Sequence, residues 1–327
     1  MMTLLEVSVE AWPVRGTFTI SRGSRTVATV IVARLMKDDA EGRGECVPYA
    51  RYGESVEGVK AQIEGLTDRI ADGLDRKGLQ DALPAGAARN ALDCAFWDLE
   101  AKQAGKRAWE LAGCSEPVAL TSAYTLSLDT PDAMQQAARD NASRPLLKLK
   151  LAGPDDLDRV RAVREGAPHS DLIVDANEGW TGETYVALAP DLADLGVKMI
   201  EQPLPAGDDH ALEGLERPVP VCADESCHDR ASLEGLKDRY DLVNIKLDKT
   251  GGLTEALALK SEAEKMGFGV MVGCMLGTSL SMAPAHLVAQ GVQVVDLDGP
   301  LLLAEDRKPS IRFKGSLIQP PEAELWG

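Results

Sequence analysis

No two of the six cysteines, Cys46, Cys94, Cys114, Cys222, Cys227 and Cys274, stand at CxxC spacing. That excludes a zinc-finger framework. Most of them sit in apolar stretches, which points to small core residues in a reducing compartment rather than to disulfides. Positive charge is scarce too: 35 Lys and Arg against 52 Asp and Glu leave a net charge of −17. Acidity of that size argues against nucleic acid and anionic membrane as partners. No apolar run approaches the roughly 18 residues of a membrane span. The first residues, Met1-Met2-Thr3-Leu4-Leu5-Glu6, lack the basic segment and apolar core of a signal peptide. The expected location is therefore the cytoplasm. A P-loop and a dinucleotide fingerprint are missing, and Gly277-Thr278-Ser279-Leu280-Ser281 does not have the G-x-S-x-G form. The four histidines, His169, His210, His228 and His286, do not cluster. What remains is 44% apolar and 27% charged residues over 327 positions, enough for one large α/β domain or for two domains.

Residues 3 to 49 are β-rich, with Thr26 to Leu35 dense in valine and isoleucine. Two polar loops interrupt this region, Ser21 to Thr26 and Pro48 to Ser55. From Val56 to Gly113 the period becomes helical, and Ala88, Ala91, Leu92, Ala95, Phe96 and Leu99 form an apolar stripe for packing. This predicts an α+β domain over 1–115. Beyond Val118 the chain alternates strand and helix patterns. Strands are expected at Leu120–Leu126, Leu146–Lys150, Leu172–Asp175, Lys198–Glu201, Val219–Cys222, Leu242–Lys246, Gly269–Val272 and Val292–Asp296, with helices such as Asp155–Arg164 and Thr254–Met266 between them. Several of the strands are apolar throughout, as strands covered on both faces should be. Eight such units suit a (β/α) barrel over 116–303. The tail, 304–327, lacks a further unit and is expected to return to the first domain.

Five of the apolar runs end in Lys150, Asp175, Glu201, Asp224 and Lys246, at intervals of 25, 26, 23 and 22 residues. Each interval is about one strand, one helix and two short loops. In a closed barrel all five side chains gather at the C-terminal mouth, where such barrels keep their chemistry. Asp175, Glu201 and Asp224 then offer three hard oxygen ligands, a set suited to Mg²⁺. In Leu147-Lys148-Leu149-Lys150 the period of two puts both lysines on one face. A metal-bound substrate carboxylate has an acidified α-carbon. Loss of its proton gives an enediolate, which the cation and Lys148 stabilise. Lys150 and Lys246 come from opposite sides of the mouth, so one can remove the proton and the other return it from behind, inverting the centre.

These residues resemble the enolase superfamily, in its muconate-lactonizing subgroup. The motifs are Lys148-x-Lys150, Asp175-Ala176-Asn177, Glu201-Gln202-Pro203, Ala223-Asp224-Glu225-Ser226, and Asn244-Ile245-Lys246 followed by Gly251-Gly252. The resemblance implies an N-terminal α+β capping domain plus a modified (β/α)7β barrel of TIM type. It also implies Mg²⁺ on Asp175, Glu201 and Asp224, with acid/base roles for Lys150 and Lys246. Within the subgroup the chain looks most like the dipeptide epimerases. In those enzymes an Asp-x-Asp pair, here Asp296-Leu297-Asp298, holds the free ammonium of the dipeptide. In members acting on Ala-Glu, a residue corresponding to Arg22 meets the side-chain carboxylate of the second residue, with Arg25 a further candidate. Arg51 and Tyr52 in the other loop are candidates for setting specificity, and Met275 is expected to line the pocket. The implied substrate is a small dipeptide such as Ala-Glu from murein peptide, and the implied assembly is a homo-oligomer. The rival activities on the same scaffold are o-succinylbenzoate synthase, N-acylamino-acid racemase and muconate cycloisomerase.

Overall fold

Valine-rich alternation makes the start of the chain a three-stranded antiparallel sheet: β1 (Leu4–Ile20), β2 (Gly23–Lys37) and β3 (Ala40–Cys46), in that order. The computed structural model describes residues 2–153 and 155–327. Strand β2 is buried on both faces at its centre. Ile31, Ala33 and Leu35 join one core, and Val30 and Val32, pointing the other way, join a second that extends into the barrel. The first of these cores is closed by the helix Ala87–Ala104, whose expected stripe lies wholly within it. The opposite face of this helix is also buried: Cys94, Trp97 and Ala101 belong to the second core. One-sided amphipathicity concealed that. The helix lies between sheet and barrel, and polar groups complete its outer side: Arg89 bonds the carbonyls of Thr250 and Gly251, and Asn90 bonds Asp248 at 2.8 Å.

Close approach of β3 to this helix needs glycine. A Cβ on Gly44 would lie 2.1 Å from the carbonyl oxygen of Ala91, and one on Gly42 2.2 Å from that of Ala95. Both obstacles are backbone, which cannot swing aside. Gly44→Ala is therefore expected to cost about 1–3 kcal/mol or more, as overpacked cores do. The check is the midpoint of thermal unfolding, which should fall without loss of the native spectrum.

The remaining strands are β4 (Leu120–Thr121), β5 (Tyr124–Leu126), β6 (Leu146–Lys150), β7 (Asp171–Asp175), β8 (Val197–Glu201), β9 (Val221–Ala223), β10 (Leu242–Ile245), β11 (Gly269–Gly273), β12 (Val294–Asp296), β13 (Phe313–Lys314) and β14 (Leu317–Ile318). Strands β5 to β12 run parallel in sequence order. The amide of Ala123, next to β5, donates to the carbonyl of Val295 in β12 at 2.8 Å and brings the two edges of the sheet together.

Two expectations are corrected here. Leu120–Leu126 is not one strand. Its first part, β4, pairs with the β13–β14 hairpin, and the chain turns at Ser122, whose hydroxyl accepts from Leu297 N, before β5 enters the barrel. The connections after β8 and β9 are short 3-10 turns, Asp209–Leu212 and Arg230–Leu236, rather than α-helices. Pro203, Pro205, Pro218 and Pro220 crowd the first of them and deny a helix its donors. The tail packs on the first region: Trp326 Nε1 donates to the carbonyl of Cys94 at 3.0 Å, and Gly327 N to Asp98 at 2.7 Å.

Ile173, Met199, Cys222 and Met271 plug the barrel interior together with Ala123. Ile173, Met199 and Cys222 stand two residues before Asp175, Glu201 and Asp224, so by the strand period those acids point into the same axis one layer nearer the mouth. Among the described residues no helix is long and apolar enough to cross a membrane.

Candidate active site

Parallel register sets the level of the polar groups. Lys150 is the cross-strand partner of Asp175, Asp175 of Glu201, and Glu201 of Cys222, with Asp224 just beyond the end of β9. Lys246 follows β10 directly. Strands β6 and β10 are four places apart in a ring of eight, so Lys150 and Lys246 face each other across the mouth, with the three acids between them on β7, β8 and β9. All five are buried, the two lysines at 8% and 7% exposure.

As they stand, the amines lie on the acids. Lys150 Nζ is 2.6 Å from Asp175 Oδ2, and Lys246 Nζ is 2.6 Å from Asp224 Oδ2. Lys148, a layer deeper, reaches Glu201 at 2.6 Å, Asp296 at 2.8 Å and Asp175 at 3.3 Å. Burial works against the charge of Lys148, but Asp296, Glu201 and Asp175 outweigh it and hold its pKa well above the usual lysine range. Lys246 is raised the same way: burial opposes, and Asp224 and Glu201 prevail. Burial would raise Asp224, but Lys246 and Lys249 hold it well below the carboxylate range. Glu201 goes the other way, pushed up by burial and by Asp175.

Whether these acids suit a cation is answered by two observations. Among the described residues no group of three His, Cys, Asp or Glu side chains stands at metal-binding spacing, and lysine ammoniums lie among the three acids. Yet Glu201 Oε2 is fully buried and receives no well-aligned hydrogen bond, although Lys148 Nζ is 2.6 Å away. A buried carboxylate oxygen in that state, beside two further buried carboxylates, fits a hard cation.

The mouth opens into a cavity of about 420 Å³ lined by Lys148, Lys150, Lys246, Asp224, Asp296, Asp298, Met275 and residues of both polar loops. Asp296 ends β12 and Asp298 follows it, 5% and 3% exposed. Asp298 accepts from Thr125 N at 2.6 Å, while Asp296 Oδ1 is buried without a hydrogen bond. Burial, then the charge of Asp296, pushes the Asp298 carboxyl up to about 7.

Arg22 lies at the tip of the β1–β2 hairpin and lines the cavity, but its guanidinium is already engaged. It donates to Glu225 at 2.7 Å, to Glu178 at 3.2 Å, to Tyr49 and to the carbonyl of Asn177. Arg25, on the same hairpin, is exposed to the cavity, and its guanidinium lies over the ring of Tyr49, 5.4 Å from its centroid. Tyr52 stacks edge-on against His228, their centroids 4.8 Å apart. His286 is buried within its helix.

The sequence reading does not single out Lys249, and it leaves Asn244 and Gln202 in their motifs without a role. Asn244 donates to Glu201 at 2.7 Å; its place two residues before Lys246, on the inward face, was the available signal. Lys249 bonds Asp224 Oδ1 at 2.7 Å and is fully buried. Gln202 accepts from Asp224 N and Ser226 N, fixing the β9 turn, and nothing in the sequence predicts that pairing.

Residues 2–113 match the family described as mandelate racemase / muconate lactonizing enzyme, N-terminal domain, and residues 132–323 match enolase C-terminal domain-like. The chain is 50% identical over 314 residues to the L-Ala-D/L-Glu epimerase of Escherichia coli, covering 95% of this chain and 98% of that protein. It is 48% identical over 300 residues to an N-acetyl-D-glutamate racemase from Pseudoalteromonas, covering 91% and 95%. A crystal structure of an enolase family member from Agrobacterium tumefaciens, with homology to dipeptide epimerases and with bound sodium and L-Ala-L-Glu, superposes with a TM-score of 0.98 at 56% identity. That match covers 99% of this chain and all of the other.

Proposed function

Because the chain belongs to the enolase superfamily, in its mandelate racemase / muconate lactonizing branch, we propose that it is a dipeptide epimerase that inverts the α-carbon of the C-terminal residue, with L-Ala-D/L-Glu as substrate. Enzymes of this superfamily pair a Lys or His base with one or two Mg²⁺ ions. Here Asp175, Glu201 and Asp224 would hold the ion, which supplies Lewis-acid polarisation of the substrate carboxylate. Lys148, set among the acids, takes up negative charge on that carboxylate when the α-proton leaves. Lys150 and Lys246, opposed across the mouth, move the proton: one accepts it from one face and the other delivers one to the opposite face. For this the amine on the accepting side must give up its proton, so its present contact with a carboxylate is the resting arrangement and not the reactive one. Murein peptide is a source of such a dipeptide, and the cytoplasm is the place we assign to its recycling.

The single observation that carries the choice of substrate is Asp296 Oδ1, buried and without a hydrogen bond beside Asp298 in the same cavity as the two lysines. Lys148 meets the other oxygen, Oδ2, at 2.8 Å, but a buried carboxylate oxygen left without a partner is costly and suits a substrate ammonium. The second reading is racemisation of an N-acylated glutamate, favoured by the 48% identical racemase. Incubation of L-Ala-L-Glu with the protein and Mg²⁺, followed by chiral analysis, tests the proposal. Appearance of the D-Glu epimer is the expected result, and inversion of N-acetylglutamate alone would shift the assignment to the second reading.

Among the described arginines lining the cavity, Arg25 alone has no carboxylate partner and is available to the acidic side chain of the second residue, since Arg22 serves Glu225 and Glu178 and Arg51 serves Glu178. Arg25→Ala should lower kcat/KM for Ala-Glu by roughly 10- to 100-fold while leaving Ala-Leu nearly unchanged, the size expected for one charged contact. Parallel kinetics on the two dipeptides check it. Arg22→Ala, by contrast, should harm both substrates together.

A further inference from the structure

Two loops cover the pocket, the β1–β2 hairpin tip and Pro48–Ser55, and both end on one carboxylate of the barrel. We propose that Glu178 is a positioning residue, a shared latch that couples the closure of the two loops over the reacting carbon. It stands three residues after Asp175, in the turn that leaves β7. Arg51 of the second loop donates to it twice, Nε to Oε2 at 2.7 Å and Nη2 to Oε1 at 2.6 Å. Arg22 of the hairpin tip shares Oε2 at 3.2 Å, and Ala206 N, from the loop after β8, donates to Oε1 at 2.9 Å. The neighbouring carbonyl of Asn177 accepts from Arg22 Nη1 at 2.9 Å and from Ser21 Oγ at 3.1 Å. The Glu178 side chain is only 9% exposed, and burial of this kind strengthens its attraction for both guanidiniums.

The backbone at this point is strained. Asn177 has φ of 46° and Glu178 of 66°, two successive non-glycine residues in the left-handed region. Such conformations persist where surroundings over-determine them, and they gather at ligand clamps and active sites. Here the turn carries a carboxylate that bridges two cations from separate loops. Two guanidiniums brought to the same oxygen repel each other once it is removed. Arg22 keeps Glu225 at 2.7 Å, but Arg51 has no second carboxylate among the described ion pairs. Loss of the carboxylate therefore removes the one charged tether of Arg51 among the described ion pairs, leaving Pro48–Ser55 held by Tyr52 on His228 and by Glu54 on Ala87 N, and it loosens the hairpin tip. Glu178 touches none of Lys148, Lys150 or Lys246, so its effect should fall on retention of substrate rather than on proton transfer.

Hydrogen exchange followed by mass spectrometry, on residues 18–26 and 48–55 of the free protein, tests the latch without any substrate. Glu178→Gln, which keeps the size of the side chain, is expected to speed exchange in both segments. Arg51→Ala is expected to speed exchange in 18–26 as well, and to add nothing there when Glu178→Gln is already present. Tyr49 also bonds Arg22, so an Arg51→Ala effect on 18–26 that persists in the Glu178→Gln background would route the coupling through Tyr49 and overturn the proposal. So would independent behaviour of the two segments. A kinetic arm rests on the epimerase reading: Glu178→Gln should raise KM for Ala-Glu about tenfold with kcat within about threefold of wild type, because a bridging charge is lost and the amines are untouched. A fall in kcat at unchanged KM would overturn it. If wild-type protein turns over no dipeptide, the reaction assignment fails and the exchange arm still decides the latch.

Discussion

Lys246→Ala is expected to reduce epimerisation of L-Ala-L-Glu by about 10²- to 10⁴-fold, the usual contribution of a positioned acid or base, with the fold intact. Lys246 contributes one of two ammoniums on Asp224; Lys249 remains on Oδ1 at 2.7 Å, so the buried carboxylate keeps a partner. Lys150→Ala should cost as much, although Lys148 stays within 3.3 Å of Asp175. The equality of the two losses is the informative part. Inversion passes through both lysines in either direction, so neither variant can retain turnover from one epimer only. Chiral chromatography of the product gives the rates, and thermal unfolding shows whether the fold survives. If Lys246→Ala kept a tenth or more of wild-type epimerisation, the two-lysine mechanism would be excluded.

The second large effect belongs to Asp298. Asp298→Asn keeps the shape of the side chain and an oxygen for Thr125 N, but removes half of the charge that faces a substrate ammonium. Breaking a buried charge pair from one side costs about 2–5 kcal/mol, which would raise KM for the dipeptide roughly thirtyfold or more. N-acetylglutamate has no ammonium, so its KM should hold or improve. Acidity gives the same result from another direction. Burial and Asp296 hold the Asp298 carboxyl up at about 7, well above its ordinary value near 3.8. In the free protein the fold favours the protonated form, so stability attributable to this group rises as pH falls through 7 towards 4. Binding an ammonium demands the carboxylate. Dipeptide uptake at pH 6 should therefore release a proton, and KM should fall as pH rises from 6 towards 7.5, short of the range where a free α-amine itself loses charge, about 7.7–8.0. Calorimetry in two buffers of different ionisation heat measures the proton. Equal losses for Ala-Glu and N-acetylglutamate in Asp298→Asn would remove the ammonium pocket from the account.

Much of the architecture was legible because the barrel repeats one local unit. The strand period of two put Lys148 and Lys150 on one face, and regular spacing put five polar residues at strand ends; β6 to β12 appear where the apolar runs stand, within two residues. What was not legible depends on contacts between distant segments. Nothing local distinguishes Arg22 from Arg25. The difference arises because the hairpin turns at Ser21-Arg22, which lays Arg22 on Glu178 and Glu225, more than 150 residues away. Glu178 reads as an ordinary turn acid until two arginines reach it. Leu120–Leu126 reads as one strand because its residues suit one; the tail hairpin takes the first half. Helix Ala87–Ala104 shows a single apolar stripe, yet the barrel covers its polar side and satisfies Arg89, Asn90 and Asp93 there.

The most direct test of opposed amines is deuterium incorporation at the glutamate α-carbon in D₂O, with Mg²⁺ and each epimer of Ala-Glu given separately to the two lysine variants. Crossed selectivity is the predicted outcome: Lys246→Ala exchanges the α-proton of one epimer only, Lys150→Ala that of the other only, and neither inverts the centre. If both variants exchange the same epimer, the two amines work from one face and the account of inversion is contradicted.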